Sequence, residues 1–197
     1  MGLFVNQNDY PDIPYPTDID HPDSSDNDGT IETAGCGLCS AVMMVDRLCM
    51  KGLNLEECRD ISVECGANRE PGTDMKILGP VLADKFHLAY KETSNTGELI
   101  EWLQGGGAAI INPGGDQEGY VGLFTHSGHY IFADSFSNGE FMILDPSWSE
   151  EKFKTPERAG RVREAGCIVY ATPEAIIRDT ENRRPRYHLF ARKDDTV

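Results

Sequence analysis

The sequence predicts a single α+β domain in which helices pack on one side of an antiparallel sheet. Two observations lead to this prediction. In the first half of the chain apolar residues recur at helical spacing, whereas the second half carries short apolar or alternating runs separated by Gly, Pro, Asn and Ser. Helices followed by strands are typical of the α+β class. A chain of 197 residues is also long enough to bury one hydrophobic core.

Residues 1–29 are predicted to form an irregular, acidic arm before a domain that spans residues 30–197. Much of this segment is crowded with Asp, Pro and Ser, which provide no periodic apolar face. The stretch that ends at Gly29 resembles part of a calcium loop. Aligning Gly29 with the glycine of an EF-hand places Ser24 and Gly35 where acidic ligands are required, so a complete EF-hand is excluded.

Four helices are expected after the arm. The first is amphipathic, and Gly52 marks its end; the others follow residues that can cap a helix N-terminus. The predicted helices run from Cys36 to about Cys49, from Asn54 to about Cys65, from Thr73 towards Phe86 and from Thr96 to near Gln104.

Strands are expected in the second half, where apolar residues alternate or form short runs. The predicted strands are the segments AAIIN, HYIFAD, EFMILD and CIVYAT, and the charged tail RRPRYHLFARKDDTV can hold one more.

The charge of the chain restricts its partners. It has 33 acidic and 18 basic residues and a net charge of −15, which repels phosphate backbones and anionic lipid headgroups. We therefore expect neither a nucleic-acid nor a membrane partner. The sequence shows no apolar run of roughly 20 residues and no signal-peptide pattern at its start. Its six unevenly placed cysteines favour a reduced, cytoplasmic setting.

Cys36 is the candidate nucleophile. It begins the first predicted helix, where unpaired N–H groups and the helix dipole lower the pKa of a thiol. The flanking Gly35 and Gly37 allow the backbone to turn sharply and to approach a substrate closely. The alternative is that Cys36 is a small buried core residue.

His129 and Asp145 are the candidate partners of this cysteine. His129 follows Gly128 at the head of HYIFAD, a place from which a base can reach a neighbouring helix end. Asp145 closes EFMILD, and Pro146 ends strand pairing directly after it. A histidine or an aspartate alone would be unremarkable at a strand end, so it is the combination that indicates a site.

The hairpin between these two strands tests the combination. A two-residue turn at Asn138 and Gly139 would pair Asp145 with Phe132, and His129, three residues away, would then lie on the opposite face of the sheet. Direct opposition of His129 and Asp145 needs a loop of three or five residues, or a bulge. We therefore predict the longer loop, for example Ser135 to Gly139.

The segments TIETAGCGLCSAVMMVDRL and SGHYIFADSFSNGEFMILDP resemble the C39-like family of bacterial cysteine peptidases. In outline the resemblance covers about residues 30–172. It implies a papain-like fold in which an N-terminal central helix packs on an antiparallel sheet. It further implies that Cys36 is the nucleophile, that His129 is its general base and that Asp145 orients the histidine.

The implied activity is hydrolysis of a peptide, isopeptide or amide bond through an acyl-enzyme, without a metal or other cofactor. Better-known relatives carry Gln six residues before the nucleophile as an oxyanion donor, and this chain has Thr30 there. The Thr30 hydroxyl and the Cys36 N–H would then hold the oxyanion, with Thr30 the weaker substitute. Asn112, at the end of AAIIN, could line the site.

Other interpretations remain open at this point. Cys36 and Cys39 form a Cys-x-x-Cys pair, as in thioredoxin-like redox proteins. The same two cysteines with His126 and His129 have the residue types of a zinc site. His126 could also replace His129 as the base. Finally, a degenerate papain-like domain could bind a peptide without cutting it.

Overall fold

A seven-stranded antiparallel sheet forms the centre of the computed structural model, which describes residues 2–21 and 23–193. The first two strands of the chain, β1 (Asn68–Arg69) and β2 (Gly72–Thr73), form a separate small hairpin. In chain order the strands of the large sheet are β3 (Leu88–Thr93), β4 (Ala108–Ile111), β5 (Ile131–Ser137), β6 (Glu140–Leu144), β7 (Arg163–Ala165), β8 (Ile168–Ala171) and β9 (Tyr187–Arg192). Across the sheet their order is β3-β9-β4-β5-β6-β8-β7. The four predicted strands and the tail strand are all present.

Six α-helices surround the sheet in the described part of the chain. They are α1 (Ile31–Ala34), α2 (Cys36–Leu48), α3 (Leu55–Glu64), α4 (Met75–Lys85), α5 (Thr96–Gln104) and α6 (Pro173–Asp179). The predicted cap of α3 is correct, since Asn54 Oδ1 accepts from Glu57 N–H at 2.8 Å. Helices α4 and α5 are capped by Asp74 and Asn95 instead, each one position from the predicted Thr, because these side chains accept the first free N–H groups.

Both faces of the sheet are covered, which differs from the one-sided packing predicted above. Alternate residues of β4 enter two separate clusters: Ala108 and Ile110 pack with α2, whereas Ala109 and Ile111 pack with α5 and α6. Both sets are fully buried. The physical reason is that the central strands are apolar on both faces, so each face needs a cover. The prediction that the N-terminal helix is central to the fold is confirmed, because α2 contacts β4 and β5 and is buried along most of its length.

The hairpin between β5 and β6 has a two-residue turn, so the longer loop predicted above is wrong. Ser137 pairs with Glu140 across Asn138 and Gly139, which both have positive φ. A bulge at Asp134 shifts the pairing register by one residue instead: Ser135 pairs with Met142, whereas Ala133 pairs with Ile143.

This bulge decides on which face the candidate residues lie. Beyond it Phe132 pairs with Leu144, so the next position, Asp145, falls opposite Ile131. His129 is two residues from Ile131 and therefore lies on the same face as Asp145. On the other side of the strand, Asp134 pairs with Arg47 of α2 at 3.2 Å.

The arm lies against the domain. It contains two short 3₁₀ turns, Gln7–Asp9 and Ser25–Asp28, and is otherwise irregular. Val5 and Tyr15 are buried in the main core, and the Tyr15 hydroxyl lies 2.8 Å from both Ser62 Oγ and Thr73 Oγ1. Within the described residues, no helix combines the length and the apolar character needed to cross a membrane.

Candidate active site

Cys36 is the first residue of α2 and is half-buried. The backbone N–H groups of Gly37 and Tyr130 donate to its sulfur, and its side chain is hydrogen-bonded to His129. Burial disfavours a charge on this sulfur, but His129 and the two N–H groups outweigh it and lower the pKa of Cys36. The thiol predicted to be the nucleophile therefore lies where a thiolate is stabilised.

His129 immediately precedes β5, and its own N–H donates to Pro113 O at 3.2 Å. The ring lies between the two other candidates: Nε2 is 2.7 Å from Asp145 Oδ1, which leaves Nδ1 for Cys36. Burial opposes the charged ring, yet Asp145 and the Cys36 thiolate raise the pKa of His129 to about 9. The structure thus brings together Cys36, His129 and Asp145 as the sequence predicted.

Asp145 is fully buried and belongs to a larger polar cluster that sequence reasoning missed. Lys152 Nζ is 2.5 Å from Asp145 Oδ2 and 2.6 Å from Ser147 Oγ, and Ser147 N–H donates to Asp145 Oδ1 at 2.9 Å. Burial would raise the pKa of Asp145, but Lys152 and His129 hold it well below its usual range. Nothing in the local pattern marks Lys152, because only folding of the loop after β6 turns it inward.

A cavity of about 90 Å³ opens beside Cys36 and His129. Besides Cys36 and His129, Asn112 and Arg183 are among the residues that line it, as the sequence suggested for Asn112. A wider groove of about 780 Å³ shares several wall residues with the cavity, Arg183 among them. Residues 18–21 of the arm line the far part of this groove.

Thr30 is not one of the described residues that line the cavity. It is the N-cap of α1, and its backbone N–H donates to Thr33 Oγ1 at 2.9 Å. Gln7 of the arm is likewise not among the described residues that line the cavity, but it contacts segments next to Cys36 and Asp145. It is buried, and it donates from Nε2 to Glu32 O at 2.5 Å and from its backbone N–H to Pro146 O at 2.7 Å. Sequence reasoning missed Gln7, because nothing in the arm's composition distinguishes it.

The residues of the competing interpretations are not assembled. Cys39 is fully buried, and burial raises the pKa of its thiol well above the usual range, which does not suit a redox partner. His126 is mostly exposed and pairs with Asp116 at 3.1 Å, away from Cys36. Across residues 2–21 and 23–193 no group of three or more His, Cys, Asp or Glu side chains could hold a metal ion. The geometry therefore supports neither the redox pair nor the zinc site.

Solved structures with a similar fold include a C39-like peptidase from Bacillus anthracis and a double glycine motif protease from an AMS/PCAT transporter in complex with the leader peptide. The first has a TM-score of 0.55 and 12% identity, covering 81% of this chain and 89% of the other. The second has a TM-score of 0.44 and 18% identity, covering 79% and 82%. No family model and no curated protein matches the chain. The first of these structures shows that the fold is the papain-like fold of C39 peptidases, as predicted.

Proposed function

We propose that this protein is a cysteine peptidase or related thiol amidohydrolase whose catalytic residues are Cys36, His129 and Asp145. One observation carries the proposal: a cysteine at the N-terminus of the central helix is hydrogen-bonded to a histidine that a buried aspartate holds. A structural cysteine needs no such partner, whereas a nucleophile needs a base, and the base needs an orienting group.

The chemistry follows from these positions. The Cys36 thiolate attacks the carbonyl carbon of a peptide, isopeptide or amide bond. As the tetrahedral intermediate collapses, the protonated His129 gives its proton to the leaving amine, and a thioester with Cys36 remains. Neutral His129 then takes a proton from water, the hydroxide attacks the thioester, and the acid is released as the thiolate forms again. Asp145 keeps the ring oriented through both steps.

The developing oxyanion needs two hydrogen-bond donors. The backbone N–H of Cys36, at the start of α2, supplies one. Thr30 and Gln7 are the rivals for the second position. We favour Gln7, because its two hydrogen bonds tie it both to Glu32, four residues before the nucleophile, and to Pro146, which follows Asp145.

The rate of iodoacetamide labelling of Cys36 as a function of pH, followed by peptide mass spectrometry, tests the proposal. The reactive ion pair exists above the lowered pKa of Cys36 and is lost as the pH rises through the pKa of His129, about 9. We expect Cys36 to be labelled at a lower pH than an ordinary thiol. His129→Ala should slow this labelling by about tenfold or more at neutral pH, since each unit of thiol pKa changes the thiolate fraction about tenfold.

His126→Ala is the matched control, because His126 lies outside the cavity, and it should behave as the wild type does. Hydrolysis of a mixed peptide library should have the same pH limits and should stop in Cys36→Ala. If wild-type Cys36 were labelled no faster than an unfolded cysteine peptide, the fold would be present without the chemistry. The chain would then be a peptide-binding domain.

A further inference from the structure

Arg183 is placed beside the catalytic pair by the segment that follows α6. Its backbone N–H donates to Thr180 O at 3.0 Å, and its Nη2 donates to Ser127 O at 3.1 Å. A methyl group at Gly128 would come within 2.6 Å of the same nitrogen. The guanidinium therefore packs against the backbone directly before His129, at the wall that the cavity shares with the groove.

The charge of Arg183 is not neutralised by the described part of the chain. No carboxylate there forms an ion pair with it, and its Nε is buried without a hydrogen-bond partner. On the same groove, Arg69 is paired with Asp20 at 2.7 Å. Arg158 and Arg186 also have a buried nitrogen without a partner, but neither is among the described residues that line the cavity, whereas Arg183 is.

Among the described residues that line the cavity, Arg183 is the one charged side chain outside the Cys36–His129 pair. A guanidinium presents parallel N–H donors that match the two oxygens of a carboxylate. A partly buried, unpaired cation is costly, and an anionic ligand would offset that cost. The cavity is small, about 90 Å³, and a group the size of a carboxylate fits it.

We propose that Arg183 binds a carboxylate of the substrate next to the bond that Cys36 attacks. The substrate class is therefore a peptide or amide with an anionic group at that position. The carboxylate is either the free C-terminus of a short peptide or the side chain of an Asp or Glu residue. The inference rests on the proposed function for its role in turnover, but the binding of a carboxylate beside Cys36 is measurable without turnover.

Two alkylating reagents of similar size test the carboxylate site. In both, the Cys36 thiolate displaces iodide as a carbon–sulfur bond forms, but iodoacetate carries a carboxylate and iodoacetamide is neutral. We expect wild-type Cys36 to prefer iodoacetate, and Arg183→Met to lower the iodoacetate-to-iodoacetamide rate ratio by about tenfold, as expected for one charge-assisted hydrogen bond. Arg183→Lys should recover part of the ratio.

Arg184→Met is the matched control, because Arg184 lines the groove but not the cavity. It should leave the ratio close to the wild-type value. An unchanged ratio in Arg183→Met, with Cys36 still labelled at low pH, would overturn the inference and leave the proposed function intact. If the preference for iodoacetate depended on Arg183 but Cys36 were not activated, the carboxylate site would be supported and the proposed function would be contradicted.

Peptide pairs identify the source of the carboxylate. If it is the C-terminus, kcat/KM should be higher for a free acid than for the corresponding amide, and Arg183→Met should abolish the difference. If it is a side chain, kcat/KM should be higher for a peptide with Asp or Glu than for the same peptide with Asn or Gln, and Arg183→Met should abolish this difference. Equal kcat/KM for both members of every pair in an active wild-type enzyme would contradict the proposed substrate class.

Discussion

At the scale of single residues, the distinctive feature is a buried aspartate shared by two cations. Asp145 holds His129 through Oδ1 and Lys152 through Oδ2. Lys152 compensates the buried carboxylate and fixes its orientation, and at the same time it competes with His129 for the negative charge. The pKa of His129, about 9, lies above the ordinary value of about 6.5. The stability that protonated His129 provides is therefore complete below about pH 6.5 and is lost as the pH rises through about 9.

Lys152→Met should separate the two effects of the lysine. Removing one partner of a buried ion pair should lower the free energy of unfolding by about 3 kcal/mol. The carboxylate then interacts with His129 alone, so the pKa of His129 should rise. The alkaline limit of peptide hydrolysis should then move to higher pH, because the leaving amine takes its proton from His129. Urea unfolding and the pH profile of hydrolysis measure these changes. Lys154→Met is the control, because the Lys154–Glu151 pair is exposed and should leave both quantities unchanged. An unaltered alkaline limit in Lys152→Met would show that the lysine does not act through Asp145.

At the scale of elements, helix α2 and the bulged hairpin position the site. Helix α2 packs on β4 and β5 of the sheet, and its start, which carries Cys36, packs closely on β2 of the small hairpin. A Cβ at Gly37 would lie 2.7 Å from Thr73 Cβ, and Thr73 is held in place by the Tyr15 hydroxyl. Gly37 is thus required by a close contact, in addition to the proximity to substrate that the sequence suggested.

Gly37→Ala should destabilise the protein even though Ala is the better helix former. The clash with Thr73 should cost about 1–3 kcal/mol, against a gain of about 1 kcal/mol in helix propensity. Gly105→Ala, at the end of α5, is the control: its backbone φ is −75° and a Cβ there meets no atom closer than 3.4 Å. Urea unfolding of both variants makes the comparison. A Gly37→Ala protein more stable than the wild type would mean that β2 can move away at little cost.

At the scale of the whole molecule, the arm contributes to the core and contacts segments next to Cys36 and Asp145. Tyr15 is buried in the core and bridges Ser62 and Thr73. Gln7 is hydrogen-bonded to Glu32, four residues before Cys36 in the sequence, and to Pro146, directly after Asp145. These contacts join the arm to the rest of the described chain.

Variants of the arm should separate its two contributions. Gln7→Ala should lower kcat by roughly 10²–10³-fold, the typical effect of losing an oxyanion donor. Tyr15→Phe should leave kcat nearly unchanged and lower the free energy of unfolding by about 1–3 kcal/mol, because two buried hydroxyls lose a partner. Steady-state kinetics and urea unfolding give both quantities. If Thr30→Val reduced kcat and Gln7→Ala did not, Thr30 would be the donor, as the sequence predicted.

The sequence by itself determined the features that local physics controls. Helical periodicity and capping residues located α2, α3, α4 and α5 to within a residue or two, and alternation located the central strands. Cys36 was predicted because a helix N-terminus is itself a favourable environment for a thiolate, and His129 and Asp145 because they combine at the ends of two predicted strands and match the family segment. The edge strands β3 and β7 were not identified, since each pairs on one side only and carries many polar residues.

Only the tertiary structure decided the rest, because those features depend on contacts between distant parts of the chain. The ladder places the tail strand β9 between β3 and β4, with Leu88 opposite Arg192. The unpaired residue of the bulge at Asp134 puts His129 and Asp145 on one face, and no local pattern distinguishes a bulge from a longer loop. Lys152, Gln7 and Arg183 lie in segments without periodicity, so their roles arise from packing against partners that the chain reaches only when it folds.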